Sequence, residues 1–270
     1  MSKEKLVGRL TVILDDAVPV TQAQFDSGCD YLLRVYDESL RCLKECVEKV
    51  SCVGETRQMD PEKLRGVDPF VKRYFGSELR KMSMGERITI RRVLQKTRDG
   101  LDGNPKLFIN PGKENAAGFV DKTLLPDPEN LPSNPIERFK VLRDKQITPT
   151  LQPPKWNYNK DKFQKEYVIS NKEINISPDW IAFDAGQEGR FEHACVTVIH
   201  EATHKYAKTW DYCYFKHGGL AGTNRPEPGR FDATDPENAF AHHGDMKDTV
   251  RFFVGNADSY GYFAFYAAQK

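Results

Sequence analysis

The segment that most restricts the fold is VTVIHEATHKYA, residues 196–207. Its two histidines, His200 and His204, are four positions apart in a largely apolar stretch, and Glu201 directly follows the first. Residues four apart lie on one face of an α-helix, about 6 Å from each other, so both imidazoles can reach one Zn²⁺ ion. Glu201 then lies beside the ion, where it can take a proton from a bound water. The pattern predicts a buried helix over residues 191–209, with zinc as the cofactor.

Composition restricts the classes of partner. Of 270 residues, 39% are hydrophobic and 29% charged, as in a globular protein with one main core. Lys and Arg number 40 against 39 Asp and Glu, a net charge of +1. A general nucleic-acid interface needs a basic excess, and a membrane span needs roughly 18 consecutive apolar residues. We therefore expect neither a nucleic-acid nor a membrane partner.

The first twenty residues, MSKEKLVGRLTVILDDAVPV, bear on localisation. They lack the long apolar segment and the small-residue cleavage site of a secretory signal peptide. We expect export by a leaderless route, or otherwise a cytoplasmic protein.

Hydrophobic periodicity predicts a mainly helical α+β fold. Thr21 is the predicted N-cap of a helix over residues 21–50. Further helices are predicted within 66–98, near 136–144 and over 246–268, with short strands at 106–110 and 172–177. The predicted organisation is an N-terminal helical segment, residues 1–65, followed by a main domain, residues 66–270.

A catalytic zinc ion needs a third protein ligand and an open position. The metzincin pattern HExxHxxGxxH is excluded, because Ala207 and Trp210 stand where it needs Gly and His. A gluzincin would take a Glu from a later helix, for which Glu237 is the candidate. Several acidic and histidine side chains downstream remain candidates for the third ligand. They are Asp211, His217, Asp235, Glu237, His242, His243 and Asp258.

Two segments after the HExxH motif resemble one known family. Residues 209–214, TWDYCY, are similar to the GTxDxxYG signature of the aspzincins, the deuterolysin and peptidyl-Lys metalloendopeptidase family, and residues 256–263, NADSYGYF, resemble its NADxxxYF segment. Weaker similarity at residues 73–76 and 174–177 extends the resemblance over roughly residues 67–270. The resemblance implies a zincin-like metallopeptidase fold, with a small sheet beside the HExxH helix.

The resemblance also implies roles for individual residues. His200, His204 and Asp211 would bind zinc, Glu201 would be the general base, and Tyr214 would stabilise the developing oxyanion. Asp258 matches a residue that receives the substrate's Lys ammonium group in lysine-specific members, so it is predicted to bind substrate or support the active site. Those members carry a second acid where this chain has Gly261, so we do not expect strict lysine specificity.

The function predicted from these features is that of a zinc-dependent endopeptidase acting on protein or peptide substrates. A leaderless bacterial effector or toxin is one setting, with a secretion apparatus or an immunity protein as further partners. Two alternatives stay open, a non-catalytic zinc-stabilised binding or toxin module and a gluzincin-type peptidase that uses Glu237.

Overall fold

The computed structural model describes ten stretches of the chain. These are residues 2–51, 61–111, 117–120, 123–125, 148–149, 167–169, 173–184, 190–207, 209 and 253–269. The predicted short helix at 136–144 lies outside them. The fold is α+β and mostly helical with a small mixed sheet, as the sequence predicts.

Five α-helices make up most of the described structure. They are α1 (Gln22–Lys49), α2 (Pro61–Phe75), α3 (Met84–Asp102), α4 (Phe191–Ala202) and α5 (Ala257–Ala268). Short 3₁₀ turns lie at Leu79–Lys81 and Pro178–Trp180, and a π-helical turn, Thr203–Ala207, continues α4. No helix in the described part of the chain is long and apolar enough to cross a membrane.

Capping fixes where the two longest helices begin. Thr21 before α1 accepts a hydrogen bond from the Gln24 backbone, and the Gln24 side chain accepts one from the Thr21 backbone. Ser83 and Glu86 form the same reciprocal pair before α3. Such capping boxes satisfy backbone N–H groups that have no partner within the helix, which confirms Thr21 as the predicted N-cap.

The main sheet has five strands. In spatial order they are β1 (Lys3–Val7), β2 (Leu10–Leu14), β3 (Lys106–Ile109), β8 (Ile174–Ile176) and β4 (Gly118–Phe119). The three central strands are parallel, and each outer strand is antiparallel to its neighbour. A second sheet has the order β5 (Thr123–Leu125), β7 (Tyr167–Ile169) and β6 (Thr148–Pro149). Strands β3 and β8 confirm the two predicted strands.

The N-terminal hairpin of β1 and β2 was not predicted. On β2, the buried residues Leu10, Val12 and Leu14 alternate with partly exposed ones. This is the period-2 pattern of a half-buried strand. Strand β2 pairs in parallel with β3, so the first residues share a sheet with the later chain. The division of the chain at residue 65 remains a prediction.

The core centres on α4 and α5. All twelve residues of α5 are buried, and α4 is buried from Ala194 to its end. Helix α1 packs against both of them and against α3. The buried thiols Cys29, Cys42, Cys46 and Cys195 belong to this core. Burial raises the pKa of Cys29 to about 11 and that of Cys42 to about 12, which disfavours the thiolate needed for nucleophilic or metal chemistry.

Gly261 sets how closely α5 approaches α4. A Cβ atom at this position would lie 2.9 Å from the Val196 carbonyl oxygen and 3.4 Å from the His200 Cβ. Glycine therefore lets the two helices pack backbone to backbone beside His200.

We expect Gly261→Ala to lower the free energy of unfolding by about 1–3 kcal/mol, because the added methyl group overpacks the helix contact. Gly66→Ala is the control, since a Cβ at this position in α2 meets no atom of the described residues within 4 Å. We expect it to raise stability by about 0.5–1 kcal/mol through helix propensity. Urea denaturation measures both, and equal effects would contradict the close packing at Gly261.

Candidate metal centre

The HExxH residues form one buried cluster at the C-terminal end of α4. His200, Glu201 and His204 are 7%, 4% and 2% exposed. One nitrogen or oxygen from each lies within 4.8 Å of the others. The two Nε2 atoms are 3.0 Å apart, and Glu201 Oε1 lies 3.8 Å from His200 Nε2. The helical spacing thus places all three side chains together, as predicted.

The other nitrogen of each imidazole is held by an oxygen acceptor. His200 Nδ1 lies 3.1 Å from Asp258 Oδ1, and His204 Nδ1 lies 2.9 Å from the Thr209 carbonyl oxygen. The Thr209 hydroxyl is farther from His204 Nδ1, at 3.3 Å. A carboxylate and a carbonyl oxygen only accept hydrogen bonds, so we assign the proton of each neutral ring to Nδ1.

This assignment leaves two Nε2 lone pairs directed at each other. Two hydrogen-bond acceptors 3.0 Å apart in a buried site repel, and a proton or a metal cation between them removes the repulsion. The nearby Glu201 carboxylate favours the higher positive charge of a metal ion. The donor set therefore fits a metal ion bound through both Nε2 atoms, with each imidazole oriented by an outer hydrogen bond.

A π-helical turn positions His204. The prediction of a helix over residues 191–209 is corrected here, because the α-helix ends at Ala202 and the π-turn covers Thr203–Ala207. The Thr203 hydroxyl lies 2.7 Å from the His200 carbonyl oxygen, to which it donates, and 2.7 Å from the Thr209 hydroxyl. These contacts bring the chain back so that the Thr209 carbonyl reaches His204.

The ring of Tyr206 holds the same turn against α3. A Cβ atom at Gly100 would lie 2.2 Å from Tyr206 Cγ, so the ring rests directly on the α3 backbone. Lys205, next in the turn, forms an ion pair with Glu173. The turn is thus fixed to a helix on one side and to the segment before β8 on the other.

The small sheet borders the cluster through β4. A Cβ atom at Gly118 would lie 3.0 Å from Glu201 Cγ and 2.8 Å from Thr197 Cγ2. The Asn175 amide of β8 supports this strand by donating to the Phe119 carbonyl oxygen, at 3.2 Å. The prediction of a sheet beside the HExxH helix is confirmed.

The structure brings four of the predicted site residues together, namely His200, Glu201, His204 and Asp258. Asp211, Tyr214 and Glu237 lie outside the described residues, as do the other candidate ligands His217, Asp235, His242 and His243. The contact of Asp258 with His200 bears on its role, while substrate binding by Asp258 stays a prediction.

Thr209 is the site residue that the sequence analysis missed. It is buried, and it holds His204 through a backbone oxygen. The sequence hinted at Thr209 only through its position, five residues after His204 and first in the segment that resembles the aspzincin signature. A role played by a backbone carbonyl leaves no residue preference from which it could be inferred.

Comparisons with protein-family models, with curated proteins and with solved structures found no match for this chain. The aspzincin resemblance therefore rests on the quoted segments alone.

We expect added Zn²⁺ to stabilise the protein, because an ion that binds only the folded state shifts the unfolding equilibrium. At a free concentration of 100 times the Kd, the gain is about 2.7 kcal/mol. His204→Ala should abolish most of this shift. His193→Ala, which removes a histidine of α4 packed on Trp180 rather than in the cluster, should keep it. Thermal unfolding with and without Zn²⁺ measures the shift, and an equal shift in both variants would rule out this site.

Proposed function

We propose that the chain is a zinc-dependent endopeptidase of the aspzincin type that hydrolyses protein or peptide substrates. The observation that carries the proposal is the pair of facing Nε2 atoms, 3.0 Å apart, beside the buried Glu201. Each imidazole is already oriented by an acceptor on its other nitrogen. Fixed ligands with a carboxylate next to them are what metal-assisted hydrolysis requires.

Zinc is the ion that suits this donor set best. Imidazole nitrogens with a carboxylate oxygen are frequent zinc ligands, and catalytic zinc keeps three protein ligands. Two ligands about 2.05 Å from a tetrahedral ion lie about 3.3 Å apart, close to the spacing of the two nitrogens.

Asp211 is the third ligand in this proposal. Thr209 already contacts His204 through its carbonyl oxygen, and Asp211 follows two positions later. Two residues of extended chain reach about 7 Å, so a carboxylate at this position is within range of the cluster. Glu237 lacks a convincing flanking pattern in the sequence, which makes it the weaker candidate.

The bound ion would polarise the scissile carbonyl and lower the pKa of water at the site. Glu201 would accept a proton from water at the site and pass it to the leaving amine, as a general base and then a general acid. Its Oε1 lies 3.8 Å from His200 Nε2, a position that supports this role. Tyr214 donates a hydrogen bond to the oxygen on which negative charge develops.

A non-catalytic metal-stabilised module is the second candidate. The observation in its favour is the low exposure of the cluster, 2–7% for the three side chains, since structural metal sites are closed to solvent. Glu201 separates the two candidates, because a structural site has no use for a general base.

We expect Glu201→Gln to keep the zinc affinity of the wild type and to lower kcat on a denatured protein substrate by about 10²–10⁴-fold, the usual contribution of a general base. Glu192→Gln is the matched control, because Glu192 lies on the same helix and contacts Tyr266 instead of the cluster. Zinc affinity and peptide release are measured for both. Full activity of Glu201→Gln would disprove the assignment of Glu201 as the general base. No peptidase activity in the wild type or in either variant would favour the binding module.

The third ligand is tested by comparing Asp211→Ala with Glu237→Ala. We expect Asp211→Ala to lower zinc affinity by at least tenfold, because an imidazole pair alone is a weaker site, and Glu237→Ala to leave it unchanged. Competition with a chromophoric chelator measures both affinities. The reverse ranking would support a gluzincin-type site.

A further inference from the structure

Asp258 lies in the first turn of α5, after the N-cap residue Asn256. The residue is 6% exposed, and its Oδ1 lies 3.1 Å from His200 Nδ1. The positive end of the helix dipole favours a negative charge in this first turn. The carboxylate thus lies in the core and accepts a hydrogen bond from a metal-site imidazole.

The packing around Asp258 leaves little freedom to this side chain. The stacked rings of Tyr74, Tyr262 and Tyr266 line the same helix. Burial, with the charge of Asp258 as a smaller cause, raises the pKa of Tyr262, so that charge lies close to the ring. Buried charges need a partner, and His200 Nδ1 supplies one.

Because residue 261 is glycine, α5 lacks the second acid that would help to bind a substrate ammonium group. A Cβ atom at Gly261 would lie 2.9 Å from the Val196 carbonyl oxygen and 3.2 Å from Val196 Cγ1. A carboxylate side chain at this position would crowd Val196 of α4, beside His200. The close helix packing therefore disfavours an acidic pair on α5.

We propose that Asp258 is a positioning residue that fixes the orientation and the Nδ1-protonated tautomer of His200, and that it does not receive a substrate's ammonium group. The inference rests on the metal site of the proposed function. It predicts a peptidase without preference for Lys at the cleavage site, because the carboxylate is committed to the imidazole.

Asp258→Ala and Asp258→Asn test the assignment, with Zn²⁺ affinity as the readout. An outer-shell partner of a metal-binding histidine contributes about 10–100-fold to affinity, so we expect a loss of that size in Asp258→Ala. Asparagine keeps an oxygen acceptor without the charge, so Asp258→Asn should lose clearly less. A residue that binds an ammonium group by its charge would instead make both variants alike and leave zinc affinity unchanged.

Ser259→Ala is the matched control, because Ser259 is buried in the same turn and accepts a hydrogen bond from Asn256. It should keep the wild-type zinc affinity. If Asp258→Ala does not fold, as judged by far-UV circular dichroism, the comparison of Asp258→Asn with Ser259→Ala carries the test.

Mapping of cleavage sites in a denatured protein, with excess Zn²⁺, gives the second readout. We expect the wild type and Asp258→Asn to cut at the same sites, without enrichment of Lys. A Lys preference that disappears in Asp258→Asn, with zinc affinity unchanged, overturns this inference and leaves the proposed function intact. A wild type that binds no Zn²⁺ overturns both.

Discussion

The rest of the structure depends on two imidazole nitrogens that face each other at 3.0 Å inside the core. Such an arrangement is unfavourable unless each ring is held in place and a positive charge lies between the two lone pairs. Asp258 and the Thr209 carbonyl oxygen hold the rings. The buried carboxylate of Glu201 adds a negative charge beside them. Together these groups form a site in which each imidazole is held by an outer hydrogen bond, an arrangement suited to a metal ion.

The scaffold supplies rigidity on every described side of this site. Helix α5 lies against α4 at Gly261, the π-turn is fixed to α3 at Gly100, and β4 approaches Glu201 at Gly118. At all three positions only glycine allows the approach, since a Cβ atom would collide with the neighbouring element. Close packing of this kind holds ligand side chains within the small tolerances that metal chemistry requires.

Local patterns in the sequence predicted much of this fold. The capping residue Thr21, the apolar period of α3 and α4, and the two short strands all follow from rules that act within a few residues. The β1–β2 hairpin was missed because no residue of β1 is buried, so β1 shows no apolar face and the alternating pattern lies on β2 alone. The π-turn departs from the 3.6-residue period on which helix prediction relies. The contact of Asp258 with His200 depends on how two distant helices meet, and that of Thr209 with His204 depends on the π-turn. The HExxH cluster was predictable because its three residues lie within five consecutive positions, although the π-turn that carries His204 was not predicted.

The most direct test of the account is X-ray absorption spectroscopy at the zinc edge of the full chain loaded with one equivalent of Zn²⁺. The account predicts two imidazole ligands and oxygen donors at about 2.0–2.1 Å. Scattering from sulfur at about 2.3 Å would place the ion on cysteines instead. A spectrum with no imidazole scattering would likewise contradict the central claim that His200 and His204 together bind the metal.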